Sequence, residues 1–224
     1  KAACQAAGRL KNRDYLDSIV KHLANSRIRA SVVEALVSYG EEITDCLGEC
    51  LRDEQLEVTT RRRIPRVLAG IPTQRSVNIL RDSMGQPNLV IRNAVIRGLS
   101  RLREAKPDLD YGRADVRRQI REEAQSYFEL YAALTRFRVG RPGGKATELL
   151  VRSVEERLDQ TIDRLFRLLG LRYPQKEINA AFRAVNRRES EEFAAALEFL
   201  DEILDNDLKV VLLPLMDGSP HLLD

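Results

Sequence analysis

The side chains best equipped for chemistry in this chain are its arginines, thirty against seven lysines. Three of them stand together in TTRRRIPRVLAGIP (residues 59–72), ahead of Pro65, and Arg66 follows at once. Arg97 and Arg101 form a second group. A guanidinium offers a planar fork of donors that matches a carboxylate or phosphate, so the chemistry on offer is recognition of an anion. The whole chain is not a polyanion binder. Its 37 basic and 34 acidic residues leave a net charge of +3 and a pI near 8.8, so any basic function must come from local clustering.

Other chemistries find less support. The histidines are His22 and His221, and the cysteines are Cys4, Cys46 and Cys50. Cys46 and Cys50 share a helix face, but with two histidines in the chain no four-ligand zinc arrangement is convincing. Buried thiols in a reducing compartment are expected instead. His22 sits beside Leu23 on an amphipathic stretch with no serine or cysteine companion, and His221 stands in a tail. Glu122–Glu123, Glu155–Glu156 and Glu191–Glu192 lie on arginine-rich stretches, where four-residue spacing predicts surface ion pairs. GRPGGKAT (140–147) resembles a phosphate loop on the page. However, three residues rather than four precede its Gly-Lys pair, Ala146 follows the lysine, and no strand leads in. A turn is expected there, with a helix start near Lys145 that an anion could approach. No catalytic, cofactor-binding or metal-binding residue is predicted, and the expectation is a protein that is not an enzyme.

The elements that position the arginines are helical. Strand-like alternation is nearly absent, while apolar residues recur with helical spacing throughout. Three segments align without gaps: IRASVVEALVSY (28–39), TRRRIPRVLAGI (60–71) and IRNAVIRGLSRL (91–102). Each carries one apolar stripe: Val32, Leu36 and Tyr39; Ile64, Leu68 and Ile71; Val95, Leu99 and Leu102. A first helix precedes each, with Leu16, Ile19, Val20 and Leu23; Ile43, Leu47 and Leu51; and Val77, Leu80 and Met84 on its apolar side. Polar turns such as NSR, RDEQ and GQPN join the pairs. Pairs this short cannot bury their faces alone and must stack on one another. The chain opens inside a helical pattern, KAACQAAGRL, from which a piece of a longer protein is expected.

The signature Ile28-Arg29…Ala35-Leu36, repeated as Ile91-Arg92…Gly98-Leu99, resembles HEAT repeats of the short class similar to phycobilisome-lyase HEAT-like repeats. The resemblance covers residues 1–103. The middle repeat departs from it, with Thr60 at the first apolar place and Pro65 inside the second helix, where a kink or a late helix start is expected. Alignment superposes Arg29, Arg61 and Arg92 as a ladder. In HEAT-like repeats this arginine commonly ties neighbouring turns by pairing with an acidic residue or a carbonyl, and Asp53, Glu54 and Glu57 are candidate partners. Alternatively the ladder belongs to a binding face. Arg62, Arg63, Arg66, Arg97 and Arg101 widen the patch, and no repeat requirement explains them.

Past the loop EAKPDLDYG (104–112) the period stops. Two long amphipathic stretches follow, one with Val116, Ile120, Ala124, Tyr127, Tyr131 and Leu134 in line, the other with Leu150, Val154, Leu158, Ile162, Leu165 and Leu169. GRPGG between them predicts an antiparallel hairpin. The expected organisation is one continuous domain: HEAT-like repeats at 1–103, loop and hairpin at 104–170, further HEAT-like helices at 171–217 and a tail at 218–224. This is an all-α, right-handed α-solenoid interrupted by a long hairpin. Residues 164–217, through LFRLLGLRYP, ALEFLDEILDNDLK and VLLPLMD, look like the cytosolic HEAT segment of bacterial carriers of the ATP/ADP translocase and major-facilitator type. That likeness implies a regulatory or assembly domain on the cytosolic side of a larger protein, in contact with membrane only through missing parts of the chain. The longest apolar run, VVLLPLM, is too short to span a bilayer, and no signal peptide is visible.

Two functions follow from these features. The first is a non-enzymatic, cytoplasmic scaffold that binds a protein segment or other domains of its parent chain. The second is nucleic-acid binding on a basic concave face, as in HEAT-like alkylpurine glycosylases. The absence of tryptophan and the small net charge weigh against the second.

Overall fold

The computed structural model describes residues 15–139, 144–187 and 190–217. Among the described residues the regular elements are all helices and no strand occurs. The chain divides into two units, residues 1–112 and 113–224.

The first unit holds α1 (Leu16–Lys21), prolonged by a 3-10 turn to Ala24, α2 (Arg29–Tyr39), α3 (Thr44–Arg52), α4 (Val58–Arg61), α5 (Ile64–Ala69), α6 (Gln74–Asp82) and α7 (Leu89–Ala105). All nine stripe residues of the aligned segments are buried, and so are all ten apolar residues named on the first helices. Burying a side chain such as Leu36 or Leu68 contributes on the order of 2 kcal/mol, so the stripes supply most of the drive to assemble. The helices meet their neighbours in register: α2 packs on α5, α5 on α7, and α3 on α6. Local chemistry sets the boundaries. Gly40, at φ 74°, ends α2. Thr73 caps α6 by accepting from the Ser76 N–H, and Asn88 caps α7 by accepting from Val90 and Ile91.

The loop that closes this unit is clasped on both sides. Gln74 Nε2 donates to the Asp110 carbonyl at 2.8 Å, and the Asp110 N–H donates back to Gln74 Oε1 at 2.9 Å. The Tyr111 hydroxyl donates to the Lys106 carbonyl at 2.9 Å, while Arg103 lies 5.3 Å from its ring centre. Burial pushes the Tyr111 phenol up to about 12.

The second unit holds α8 (Arg113–Val139), α9 (Lys145–Arg172), α10 (Gln175–Arg187), α11 (Ser190–Ile203) and α12 (Asn206–Asp217). Each packs on the next, and α12 returns to pack on α8. Asp207 of α12 accepts from Arg117 and Arg121 of α8, and Asp205 accepts from Arg172 at the end of α9. Val116, Ile120, Ala124 and Leu134 are buried as the α8 stripe predicts, with Tyr127 and Tyr131 half-buried. The α9 stripe is buried at Leu158, Leu165 and Leu169, but Leu150 is 51% exposed. Residues 145–157 contain no fully buried side chain, because a single neighbouring helix shields only one side of a long amphipathic surface.

One reading of the carboxylates is corrected here. Glu122 does make a surface pair with Arg118 four residues earlier, at 3.9 Å. Glu123 instead is fully buried and accepts from Arg164 of α9, at 2.8 Å. Four-residue spacing sees partners on the same helix and misses this one, which arrives from 41 residues away.

No helix among the described residues is long and apolar enough to cross a membrane. Cys4, His221 and the tail at 218–224 lie outside the described residues, as does most of the GRPGG turn.

Candidate anion-binding cleft

The cleft begins with the proline. Pro65 has no N–H to give and sits in the first turn of α5, where that loss is harmless. The expected late helix start is therefore what occurs: α4 stops at Arg61 and α5 opens at Ile64. Between them the Arg62 N–H bonds to Val58 and the Arg63 N–H to Thr60, a tight turn holding these two arginines side by side. Opposite, α7 presents Val90, Asn93, Ala94, Arg97 and Arg101 at spacings of three and four, one face of a helix. Gly98 permits the close approach: a Cβ there would lie 3.0 Å from the Pro65 carbonyl oxygen and 3.0 Å from Leu80 Cδ1.

Arg62, Arg63, Arg66, Val90, Asn93, Ala94, Arg97 and Arg101 together line a cleft of about 220 Å³. Five guanidiniums face it, and no carboxylate is among the lining residues. The Nε atoms of Arg62 and Arg63 are buried without a hydrogen-bond partner, and so is Asn93 Oδ1. Arg66 and Arg101 likewise make no ion pair or side-chain hydrogen bond with any described residue. Burial, and then the positive charges of Arg29, Arg62 and Arg66, hold the Arg63 guanidinium below its ordinary pKa. The Arg62 and Arg63 corner of the cleft is a concentration of positive charge of the kind an anion relieves.

The ladder arginines do something else. Arg29 Nε and Nη2 donate to the carbonyls of Leu23 and Ala24, both at 3.0 Å. Arg61, 5% exposed, donates to the Leu51 carbonyl at 3.1 Å. Arg92 donates to the Gln86 carbonyl at 2.8 Å. Each satisfies a carbonyl left over at or just past the end of the preceding helix. Carbonyls, not Asp53, Glu54 or Glu57, receive these bonds. Of the eight arginines singled out in the sequence, the structure thus ties Arg29, Arg61 and Arg92 into the scaffold and gathers Arg62, Arg63, Arg66, Arg97 and Arg101 in the cleft. Asn93, Val90 and Ala94 escaped sequence reasoning. The available signal was their place one and two turns before Arg97 on the same helix face.

The cleft holds donors and one free acceptor, with no nucleophile and no general acid or base. Elsewhere in the first unit, Cys46 and Cys50 are half-buried thiols outside any disulfide, and burial followed by the proximity of Cys46 pushes the Cys50 thiol up to about 11. No group of His, Cys, Asp and Glu among the described residues is placed to hold a metal ion. In the second unit a wider concavity of about 440 Å³ lies between α10 and α11, walled mainly by alanines and Phe199.

Comparison of the chain with protein-family models, with curated proteins and with solved structures gives no match. Fold and cleft therefore define the class on their own: an all-helical chain with an arginine-lined cleft.

Proposed function

We propose that this chain is a non-enzymatic interaction module built of HEAT-like helix pairs stacked as a solenoid. In this reading the arginine cleft grips an acidic group on a protein segment, supplied by a partner or by another part of a longer parent chain. The carrying observation is the pair of buried, unpartnered Nε atoms of Arg62 and Arg63 in a cleft without a carboxylate. Charged donors withdrawn from water without a partner cost stability, and a ligand anion removes that cost. The stacking of α2, α5 and α7 supports the solenoid, and the pairings Glu123–Arg164 and Arg138–Glu155 support the antiparallel hairpin of α8 and α9. Stacked repeats offer extended surfaces rather than deep catalytic pockets, which fits a scaffold. The cytosolic regulatory role in a carrier-like protein belongs to the same proposal and rests on the likeness of residues 164–217 alone.

The test uses a fluorescein-labelled mixture of aspartate- and glutamate-containing peptides and a labelled DNA duplex, each titrated by anisotropy at physiological salt. Peptide binding that is lost in an Arg62→Gln/Arg63→Gln chain of unchanged circular dichroism is expected. Duplex binding alone, with affinity falling steeply as salt rises, would replace this reading with nucleic-acid recognition.

A further inference from the structure

We infer that the group taken by the cleft is a phosphoryl monoester on a peptide, a phosphorylated serine or threonine, with the peptide backbone held by Asn93. This rests on the acidic-partner reading and narrows it. The arginines arrive from two directions, Arg62, Arg63 and Arg66 from the α4–α5 corner and Arg97 and Arg101 from α7. A carboxylate has two oxygens in one plane, enough for a pair of guanidiniums, as where Asp207 accepts from Arg117 and Arg121. A phosphoryl group is tetrahedral, has three strong acceptor oxygens and carries nearly two negative charges at neutral pH, so several guanidiniums can share it.

The volume bears on size. At about 220 Å³ the cleft is smaller than the roughly 300–1,000 Å³ of drug- and cofactor-sized sites. It suits one compact head group on a short tether. No aromatic side chain lines it, so it has no platform on which a base could stack.

Asn93 separates a peptide from a DNA backbone. Asn93 lines the cleft, and its Oδ1 is buried and lacks a donor. The backbone of a DNA strand presents acceptors only, phosphate and ether oxygens. A peptide brings N–H groups beside its phosphorylated side chain, and one of these satisfies Oδ1 while the phosphate meets the Arg62 and Arg63 Nε atoms. Next to Asn93 along α7, Val90 is 48% exposed and Ala94 half-buried. They give an apolar seat for a residue flanking the phosphorylated one. A free phosphate would use the arginines and leave Val90 idle.

The experiment compares three fluorescein-labelled degenerate peptide mixtures whose fixed central residue is phosphoserine, glutamate or serine, with inorganic phosphate as competitor. The phosphoserine mixture is expected to bind at least about tenfold more tightly than the glutamate mixture. Asn93→Ala is expected to weaken it about five- to tenfold. Arg62→Gln/Arg63→Gln should abolish binding. Should that variant misfold, Arg101→Gln alters only an exposed side chain and should still weaken binding several-fold. Equal affinity for the phosphoserine and glutamate mixtures overturns the phosphoryl assignment and leaves the acidic-partner reading standing. Full peptide affinity in Asn93→Ala overturns the role of Asn93 and reduces the site to a bare phosphate cradle. Failure of every peptide, with or without duplex binding, overturns both readings.

Discussion

Arg164 donates from Nε to Glu123 Oε2 at 2.8 Å, with the two side chains 5% and 0% exposed. Arg164 also reaches Thr161 Oγ1 at 2.8 Å, and Gln119 approaches the other glutamate oxygen at 3.4 Å. The pair joins α8 to α9 where both are deep in the second unit. Both side chains are shut off from solvent, so the partners depend on each other.

Removing one member strands the other. Glu123→Ala leaves a buried guanidinium uncompensated and is expected to cost about 3–5 kcal/mol, read as a fall in the urea midpoint. The double change Glu123→Leu/Arg164→Met removes both charges at similar volume and is expected to recover most of that loss. A double variant as unstable as Glu123→Ala alone would mean that packing, and not the stranded charge, sets the cost.

Gly98 governs how closely α5 and α7 approach, and its neighbours decide the sign of a substitution. In an ordinary helix interior, replacing glycine by alanine gains about 0.5–1 kcal/mol. At Gly98 the new methyl meets the Pro65 carbonyl oxygen and Leu80 Cδ1, both at 3.0 Å, and backbone cannot swing aside. Gly98→Val adds bulk without the helix gain. It is expected to cost about 1–3 kcal/mol in denaturant unfolding and to weaken the cleft's anion binding by parting its walls. Gly48 is the control, since a methyl there meets only the Ile79 side chain, at 3.1 Å and beyond. Gly48→Ala should be near neutral.

How much of this was legible depends on the range of the interaction. The repeat stripes are local and periodic, so Val32, Leu68 and Leu99 could be placed in the core from spacing alone, and Pro65 announced the late start of α5. Alignment also found the ladder, but not its partners: the carbonyls of Leu51 and Gln86 have no signature in a sequence. The cleft was half legible. Its arginines stood out as residues that no repeat required, whereas Asn93 became visible only when the tight α5–α7 contact placed it among them. Glu123 was misplaced for the same reason, since charge tells exposure only when the partner is near in sequence.

Stability in acid turns on the start of α12. The Arg172 hydrogen bond, against the opposing effect of burial, holds the Asp205 carboxyl below its ordinary pKa, with Tyr173 assisting. Burial pushes Asp207 upward, and the hydrogen bonds from Arg117 and Arg121 outweigh it, so its pKa is lowered as well. The folded chain binds these protons less readily than the unfolded one. The stabilisation is therefore present above the unfolded value, near pH 4, and is lost as pH falls through the folded values. Urea midpoints measured from pH 6 down to pH 3 should fall steeply below about pH 4. Arg172→Met removes the guanidinium that holds the Asp205 carboxyl down and is expected to lower the midpoint at pH 6 while flattening the fall below about pH 4. An equal fall in both chains would show that other carboxylates, and not this corner of the second unit, carry the acid sensitivity.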